Sequence, residues 1–234
     1  VHGTSAITAV TAQNSVTVTD YVALEPRMVV AQVEAVASDM TVAAAKTGML
    51  ANRAIVAAVA DVLRRLALPH VVVDPVMVAK GGARLLDPDA ERAYVEQLFA
   101  RADVLTPNLL EAEALLGRAV RTREAMRQAA RDLHALGPRV VVVKGGHLEG
   151  PEAVDVFYDG VRLEELAAPR VHTRNTHGTG CTFSAAIAAR LALGAERLEA
   201  VRGAKEYLTE AIRRSYSVGR GHGPVDHLHP LTPR

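Results

Sequence analysis

The chain has 234 residues, 49% of them hydrophobic and 23% charged, and a formal net charge of +1. That composition excludes a disordered chain and suits a single α/β domain with a substantial core. With no block of Lys and Arg, and no apolar run near the roughly 18 residues of a spanning helix, neither nucleic acid nor membrane is an expected partner.

Residues 5–13 mix β-branched and small side chains and leave through a polar exit at Gln13 and Asn14, which predicts a first strand. The chain starts at Val1 without a methionine and runs straight into this strand, as a continuation would. Pro26 at a first helical turn, with Val29, Val30, Val33, Val36 and Ala37 at helical spacing, predicts an amphipathic helix to Asp39. A short buried strand over 43–47 is broken by Gly48. Asn52 then caps a helix over 53–66 whose Ile55, Val59, Val62 and Leu66 form one face. Val71, Val72 and Val73 are a continuous apolar run closed by Asp74 and Pro75, the pattern of a parallel strand buried on both faces. Lys80, Gly81 and Gly82 read as a mobile loop, Asp87 or Asp89 as the start of a helix to Ala100, and 104–106 as a strand stopping at Pro107 and Asn108. Helices over 110–116 and 122–135 follow, and a strand over 140–143 ends in Lys144, Gly145 and Gly146. A hairpin of 154–158 and 161–166 turns tightly at Asp159 and Gly160. A helix running from the glycine turn near Gly178 to Leu193 and a last one over 198–216 complete the pattern.

Strands alternating with helices predict an α/β fold, a mostly parallel doubly wound sheet flanked by helices on both faces. In such sheets ligands bind beyond the carboxyl ends of the strands. Five ends are polar, at Gln13, Lys46 to Gly48, Asp74, Thr106 to Asn108, and Lys144 to Gly146, and are expected to converge on one edge.

The stretch RNTHGTGCTFSAA over 174–186 sets Gly178, Thr179 and Gly180 just ahead of the only cysteine, Cys181, where a helix opens. The first N–H groups of a helix lack internal partners and lie at the positive end of its dipole, so this turn is suited to a phosphate, with a reactive thiol in its mouth. The competing reading is a plain glycine turn before a helix. Lys144, followed by two glycines, suits a phosphate chain or a solvated surface. Asn108 and Glu111 stand three apart at a helix start, so both face one edge. Glu111 suits Mg²⁺ through hard oxygen ligation or merely complements the helix dipole. Asp74 either supports the same metal or caps a turn, and Met49 and Val76 either wall a flat ring or belong to the core. His222, His227 and His229 lack the spacing of a zinc site and read as a polar tail, while His177 touches either a ligand or its own loop. An anion cradle, a lysine, a metal carboxylate and a thiol together point to phosphoryl transfer, and the absence of G-x-x-x-x-G-K-[ST] excludes a P-loop enzyme. A lone cysteine fits a reducing cytoplasm.

The motifs TAQN at 11–14, KTGML at 46–50, DPVMVAKGG at 74–82, TPNLLEAEALLG at 106–117, VKGGH at 143–147, HTRNTHGTGCTFSAAIAA at 172–189 and GHGPV at 221–225 resemble, in this order, the hydroxymethylpyrimidine kinase/phosphomethylpyrimidine kinase family of the ribokinase-like superfamily. The resemblance covers nearly the whole chain. It implies a single kinase domain over 1–234, likewise a homodimer, that uses ATP and Mg²⁺ to phosphorylate 4-amino-5-hydroxymethyl-2-methylpyrimidine and then its monophosphate in thiamine diphosphate biosynthesis. By the resemblance, Gln13 bonds the aminopyrimidine, with Met49 and Val76 along the ring. Gly178, Thr179 and Gly180 form the anion hole, and Cys181 takes the proton of the hydroxymethyl group where many relatives carry an aspartate. Lys144 meets the ATP phosphates, Asn108, Glu111 and Asp74 the metal and its waters, and Lys205 the nucleotide. Family members open with a strand and a glycine-rich loop of the type GSDSGGGAGIQAD, which has no counterpart here. A molecule starting at Val1 is therefore expected to have poor stability and little activity, because a central strand would lose its partners. Pyridoxal kinase, a non-catalytic pyrimidine-binding module and a nicotinamide oxidoreductase are the alternatives. The last lacks a G-x-G-x-x-G after an early strand.

Overall fold

Valine decides where the sheet lies. Val71 to Val73 and Val141 to Val143 are all buried, and β-branched side chains on both faces of a strand suit a sheet covered on both sides. The computed structural model describes residues 1–77 and 88–231. Among them run β1 (Ala9–Gln13), β2 (Val18–Ala23), α1 (Pro26–Asp39), β3 (Ala45–Thr47), α2 (Arg53–Arg65), β4 (Val71–Val73), α3 (Pro88–Ala93), β5 (Val104–Leu105), α4 (Leu109–Leu116), α5 (Arg123–His134), β6 (Val141–Lys144), β7 (Glu152–Tyr158), β8 (Leu163–Pro169), α6 (Thr179–Ala192) and α7 (Arg197–Arg213). The main sheet has the order β3-β4-β5-β6-β7-β8. Its first four strands are parallel and the last two antiparallel.

Alternate residues of each strand feed two separate cores. Val71, Val73, Val141 and Val143 pack with Ile55, Ala93, Leu109 and Met126 on the face that carries α2 to α5, joined by Val29 of α1. Val72, Val104 and Val142 pack with Phe183, Ile187, Leu191 and Val201 of α6 and α7 on the other. The doubly wound, mostly parallel architecture read from the alternation of elements is the one found. Caps lie where the polar residues suggest: Asn52 accepts from the Ile55 amide at 3.0 Å and Thr122 from the Ala125 amide at 3.1 Å.

Three expectations change. The strand ending at Gln13 does not join the main sheet. β1 pairs antiparallel with β2, a strand the sequence reading passed over, in a separate two-stranded ribbon, so four polar strand ends rather than five share the edge. The helix expected from Asp87 or Asp89 to Ala100 is α-helical only over Pro88–Ala93. It continues as a π turn, Tyr94–Leu98, and a 3-10 turn, Phe99–Arg101. Asp87 itself and the Lys80 loop lie outside the described residues. The β7–β8 hairpin closes with four residues between Tyr158 and Leu163, not a two-residue turn, because the Asp159 carboxylate accepts from both the Val161 and Arg162 amides.

Ile187 is completely buried between α6 and the sheet. Ile187→Ala should cost about 2–5 kcal/mol of unfolding free energy, read as a lowered urea midpoint at unchanged slope.

Candidate active site

The carboxyl ends of β3, β4, β5 and β6 bring four charged side chains together. Asp74, one residue beyond β4 and 1% exposed, takes the Lys144 ammonium on Oδ1 at 2.8 Å. Thr106, just past β5, donates to the same oxygen at 3.2 Å. Oδ2 accepts from Ser184 of α6 at 3.0 Å and faces Lys46 of β3 at 3.9 Å. Lys144 also lies 3.9 Å from Oε2 of Glu111, a carboxylate 6% exposed. Glu111 is fixed by a reciprocal cap at the start of α4: its Oε2 accepts from the Asn108 amide at 2.7 Å, and the Asn108 side chain accepts from the Glu111 amide at 3.0 Å. The sequence spacing that placed Asn108 and Glu111 at one edge is thus realised as a capping box.

These contacts set the protonation states. Burial alone would raise the Asp74 carboxyl, but the attraction of Lys144 and Lys46 and the hydrogen bonds from Lys144 and Ser184 hold it below its ordinary value. Lys144 is raised: burial opposes its charge, and Asp74, Glu111 and then Cys181 more than compensate. Glu111 is pushed up to about 7, first by burial and then by the like charge of Asp74, against the pull of Lys144 and the Asn108 amide. Tyr94, which opens the π turn, is buried and raised by burial and by both carboxylates, and its hydroxyl donates to the carbonyl of Gly48 at 3.2 Å.

The glycine turn stands beside this cluster. Gly178 takes the left-handed conformation, φ 78°, and begins α6 with no side-chain cap; the Thr179 amide donates to the Thr176 carbonyl at 3.5 Å, and the amides that follow it suit an anion. A Cβ built on Gly180 would sit 3.3 Å from Nζ of Lys144, which puts the lysine against the second residue of the helix. Cys181, in the same first turn, is exposed. A groove of about 620 Å³ runs from Cys181 along Ala185, Ala189 and Leu193 of α6 toward Tyr207 and His227.

The turn is held from outside by the end of the chain. Asn175, 7% exposed, accepts from the Gly223 amide at 3.2 Å and Ser217 Oγ at 3.3 Å, and the His177 amide donates to Gly223 O at 3.1 Å. Gly221 and His222 donate their amides to Ser15, in the turn between β1 and β2, at 3.2 and 2.9 Å. His227 Nε2 is 3.0 Å from Thr182 Oγ1 in the first turn of α6. His222 Nδ1 lies 2.9 Å from the Arg174 carbonyl and His229 Nδ1 2.9 Å from that of Asp226, and among the described residues no group of three or more His, Cys, Asp or Glu could hold a metal.

Of the residues singled out in the sequence, the structure brings Asp74, Glu111, Asn108, Lys144, Gly178, Thr179, Gly180 and Cys181 to one edge. Met49 and Val76, both half-buried, follow β3 and β4 at the same edge. Two are placed elsewhere. Gln13 is exposed at the end of the separate ribbon, and Lys205 of α7 is buried in an ion pair with Asp155 at 2.7 Å. Sequence reasoning missed Ser184 and Tyr94, and it placed Lys46 and Thr106 at strand ends without their pairing to Asp74. The i, i+3 spacing of Cys181 and Ser184 could have found the serine, since it puts both on one side of α6. Tyr94 had no such signal.

Comparison with known proteins matches residues 1–226 to the phosphomethylpyrimidine kinase family. The chain belongs to that family. It is therefore a phosphotransferase of ribokinase-like fold. It is 50% identical over 232 residues to the hydroxymethylpyrimidine/phosphomethylpyrimidine kinase of Rhizobium meliloti, covering 98% of this chain and 87% of that protein. It is 48% identical over 227 residues to the thiamine biosynthesis bifunctional protein of Geobacter sulfurreducens, where 97% of this chain spans 46% of the other. Among solved structures, an ADP complex of Bacillus subtilis pyridoxal kinase superposes with a TM-score of 0.92 at 39% identity, covering 100% of this chain and 89% of that one. The phosphomethylpyrimidine kinase of Clostridium difficile superposes with a TM-score of 0.79 at 37% identity, covering 90% and 87%. Among the described residues no helix is long and apolar enough to cross a membrane.

Glu111 supplies a pH signature. Its folded value, about 7, lies above the ordinary 4.5, so the native state holds this proton more tightly than the unfolded chain does. The stabilisation is full below about pH 4.5 and is lost as pH rises through about 7. With neither nucleotide nor metal added, Glu111→Gln should remove a decline on the order of 3 kcal/mol over that window, measured by urea unfolding at successive pH values.

Proposed function

We propose that the chain transfers the γ-phosphoryl group of ATP to 4-amino-5-hydroxymethyl-2-methylpyrimidine, and then to the monophosphate, in thiamine diphosphate biosynthesis. Residues 1–234 act as one kinase domain, in the cytoplasm and as a homodimer. The observation that carries the reading is the position of Lys144, bonded to Asp74 at 2.8 Å and pressed against Gly180 at the opening of α6. A cation fixed between a buried carboxylate and an anion-binding turn is what transfer of a phosphoryl group needs, because such catalysis is positioning and charge neutralisation.

The remaining roles follow from placement. The turn of Gly178, Thr179 and Gly180, which carries no side-chain cap, stabilises the oxygens of the transferring group. Lys144 neutralises its charge, and the Cys181 thiol, exposed at the same turn, receives the proton of the substrate hydroxyl. Met49 and Val76, half-buried at the same edge, wall the pyrimidine ring. Mg²⁺ fits the donors present. Asp74 and Glu111 are two hard carboxylates in one buried cluster, where burial and then the like charge of Asp74 push Glu111 up, and a cation beside it would favour its charged form. Two protein ligands suit an ion that keeps its waters and phosphate oxygens. Bound there, it would shield the negative charge of the polyphosphate. Pyridoxal is the second candidate substrate, favoured by the 0.92 TM-score to a pyridoxal kinase.

The deciding assay offers each alcohol with ATP and Mg²⁺ and scores the product by mass. Phosphorylated pyrimidine is the expected main product, and phosphorylated pyridoxal alone would overturn the assignment. In the same assay Cys181→Ala should lower kcat by about 10²- to 10⁴-fold while KM for the pyrimidine stays within about threefold. Unchanged turnover would remove the thiol from the proton step.

A further inference from the structure

The lysine at the centre of the site depends on a second, fully internal ion pair. β6 and β7 pair so that Lys144 lies opposite Asp155. The Asp155 carboxylate, 8% exposed, uses Oδ1 to accept the backbone N–H of Gly145 at 2.9 Å and Oδ2 to take the ammonium of Lys205 at 2.7 Å. Lys205, also 8% exposed, comes from the middle of α7 on the far layer of the fold. The peptide held in this way is the one directly after Lys144. It has no slack: a Cβ on Gly145 would meet the Val154 carbonyl oxygen at 2.0 Å and Met126 Cε at 2.6 Å.

A carboxylate buried to this degree is costly without a counter-charge, and an unpaired one would protonate or seek water. Lys205 supplies the counter-charge where Asp155 grips Gly145, and the grip fixes the backbone from which Lys144 reaches Asp74. The Lys205 ammonium is spent on that pair. We infer that Lys205 and Asp155 are positioning residues for Lys144, and that Lys205 does not contact the nucleotide. For its kinetic readout the inference rests on the phosphoryl-transfer reading; a second readout is independent of it.

Two double variants separate the possibilities. Lys205→Met with Asp155→Asn loses the ammonium but keeps a side-chain oxygen for the Gly145 amide. Lys205→Met with Asp155→Leu loses both and replaces a buried pair with apolar groups, a change that proteins often tolerate in stability. The Asn variant is expected to show a kcat at least about tenfold above the Leu variant, with KM for ATP in both within about threefold of the parent chain. Hydrogen exchange at the Gly145 amide should be at least about tenfold faster in the Leu variant than in the Asn variant, since the bond to residue 155 alone separates them. Equal exchange in the two overturns the inference whatever the rates of turnover. An ATP KM raised about tenfold or more in both marks Lys205 as a nucleotide ligand and also overturns it. If the Leu variant fails to fold, the Asn variant against the parent chain still decides through that KM. If the parent chain transfers no phosphate, the proposed activity fails by itself and the exchange comparison decides the positioning role.

Discussion

One negative charge removed from water organises the carboxyl edge of the sheet. The Asp74 carboxylate is 1% exposed, and an ion so buried costs several kcal/mol unless cations and donors surround it. Its partners come from four places: Lys144 ends β6, Lys46 lies in β3, Thr106 follows β5 and Ser184 lies in α6. Satisfying one side chain therefore fixes the relative depth of three strands and the helix that opens at the glycine turn. Ser184 matters most in this respect. It ties the opening of α6 to the same carboxylate that holds the lysine, so the glycine turn and Lys144 keep one spacing.

The cluster is also nearly balanced before any substrate arrives. Lys46 and Lys144 face Asp74 and Glu111, and the imbalance shows only in Glu111, which lies furthest from a lysine and is raised to about 7. A polyphosphate entering with a divalent cation brings compensating charges of its own. Charges already fixed in this way need no rebuilding of the walls when a further charged group arrives, which is what preorganised electrostatic catalysis requires.

Much of this was legible in the chain because strand ends and helix starts are written in short, local patterns. The valine runs followed by Asp74 or by Lys144, Gly145 and Gly146 gave the edge, and the glycine turn before Cys181 gave the cradle. Asn108 and Glu111 were found by their spacing alone, and the structure adds that they cap one helix reciprocally. What escaped depends on pairing across long separations. Gln13 ends a strand as expected, but the strand pairs with β2 in a ribbon of its own, and no local pattern says which partner a strand will choose. Lys205 looked like a cation for the nucleotide until Asp155, 50 positions away, was found to hold it. Tyr94 sits in a π turn, a conformation that amphipathic spacing does not announce.

The tail that closes over the glycine turn has a consequence for how the molecule is made. Gly221 bonds Ser15 across 206 positions, and Gly223 bonds Asn175, so the beginning, the cradle and the end of the chain meet in one knot of amides. Contacts between residues this far apart form late, because loop closure must come before they contribute. The sheet can therefore assemble first, and the glycine turn is locked only when Gly221 and Gly223 reach Ser15 and Asn175. Ordering of the glycine turn is thereby a late event, set by loop closure rather than by the local sequence of the turn.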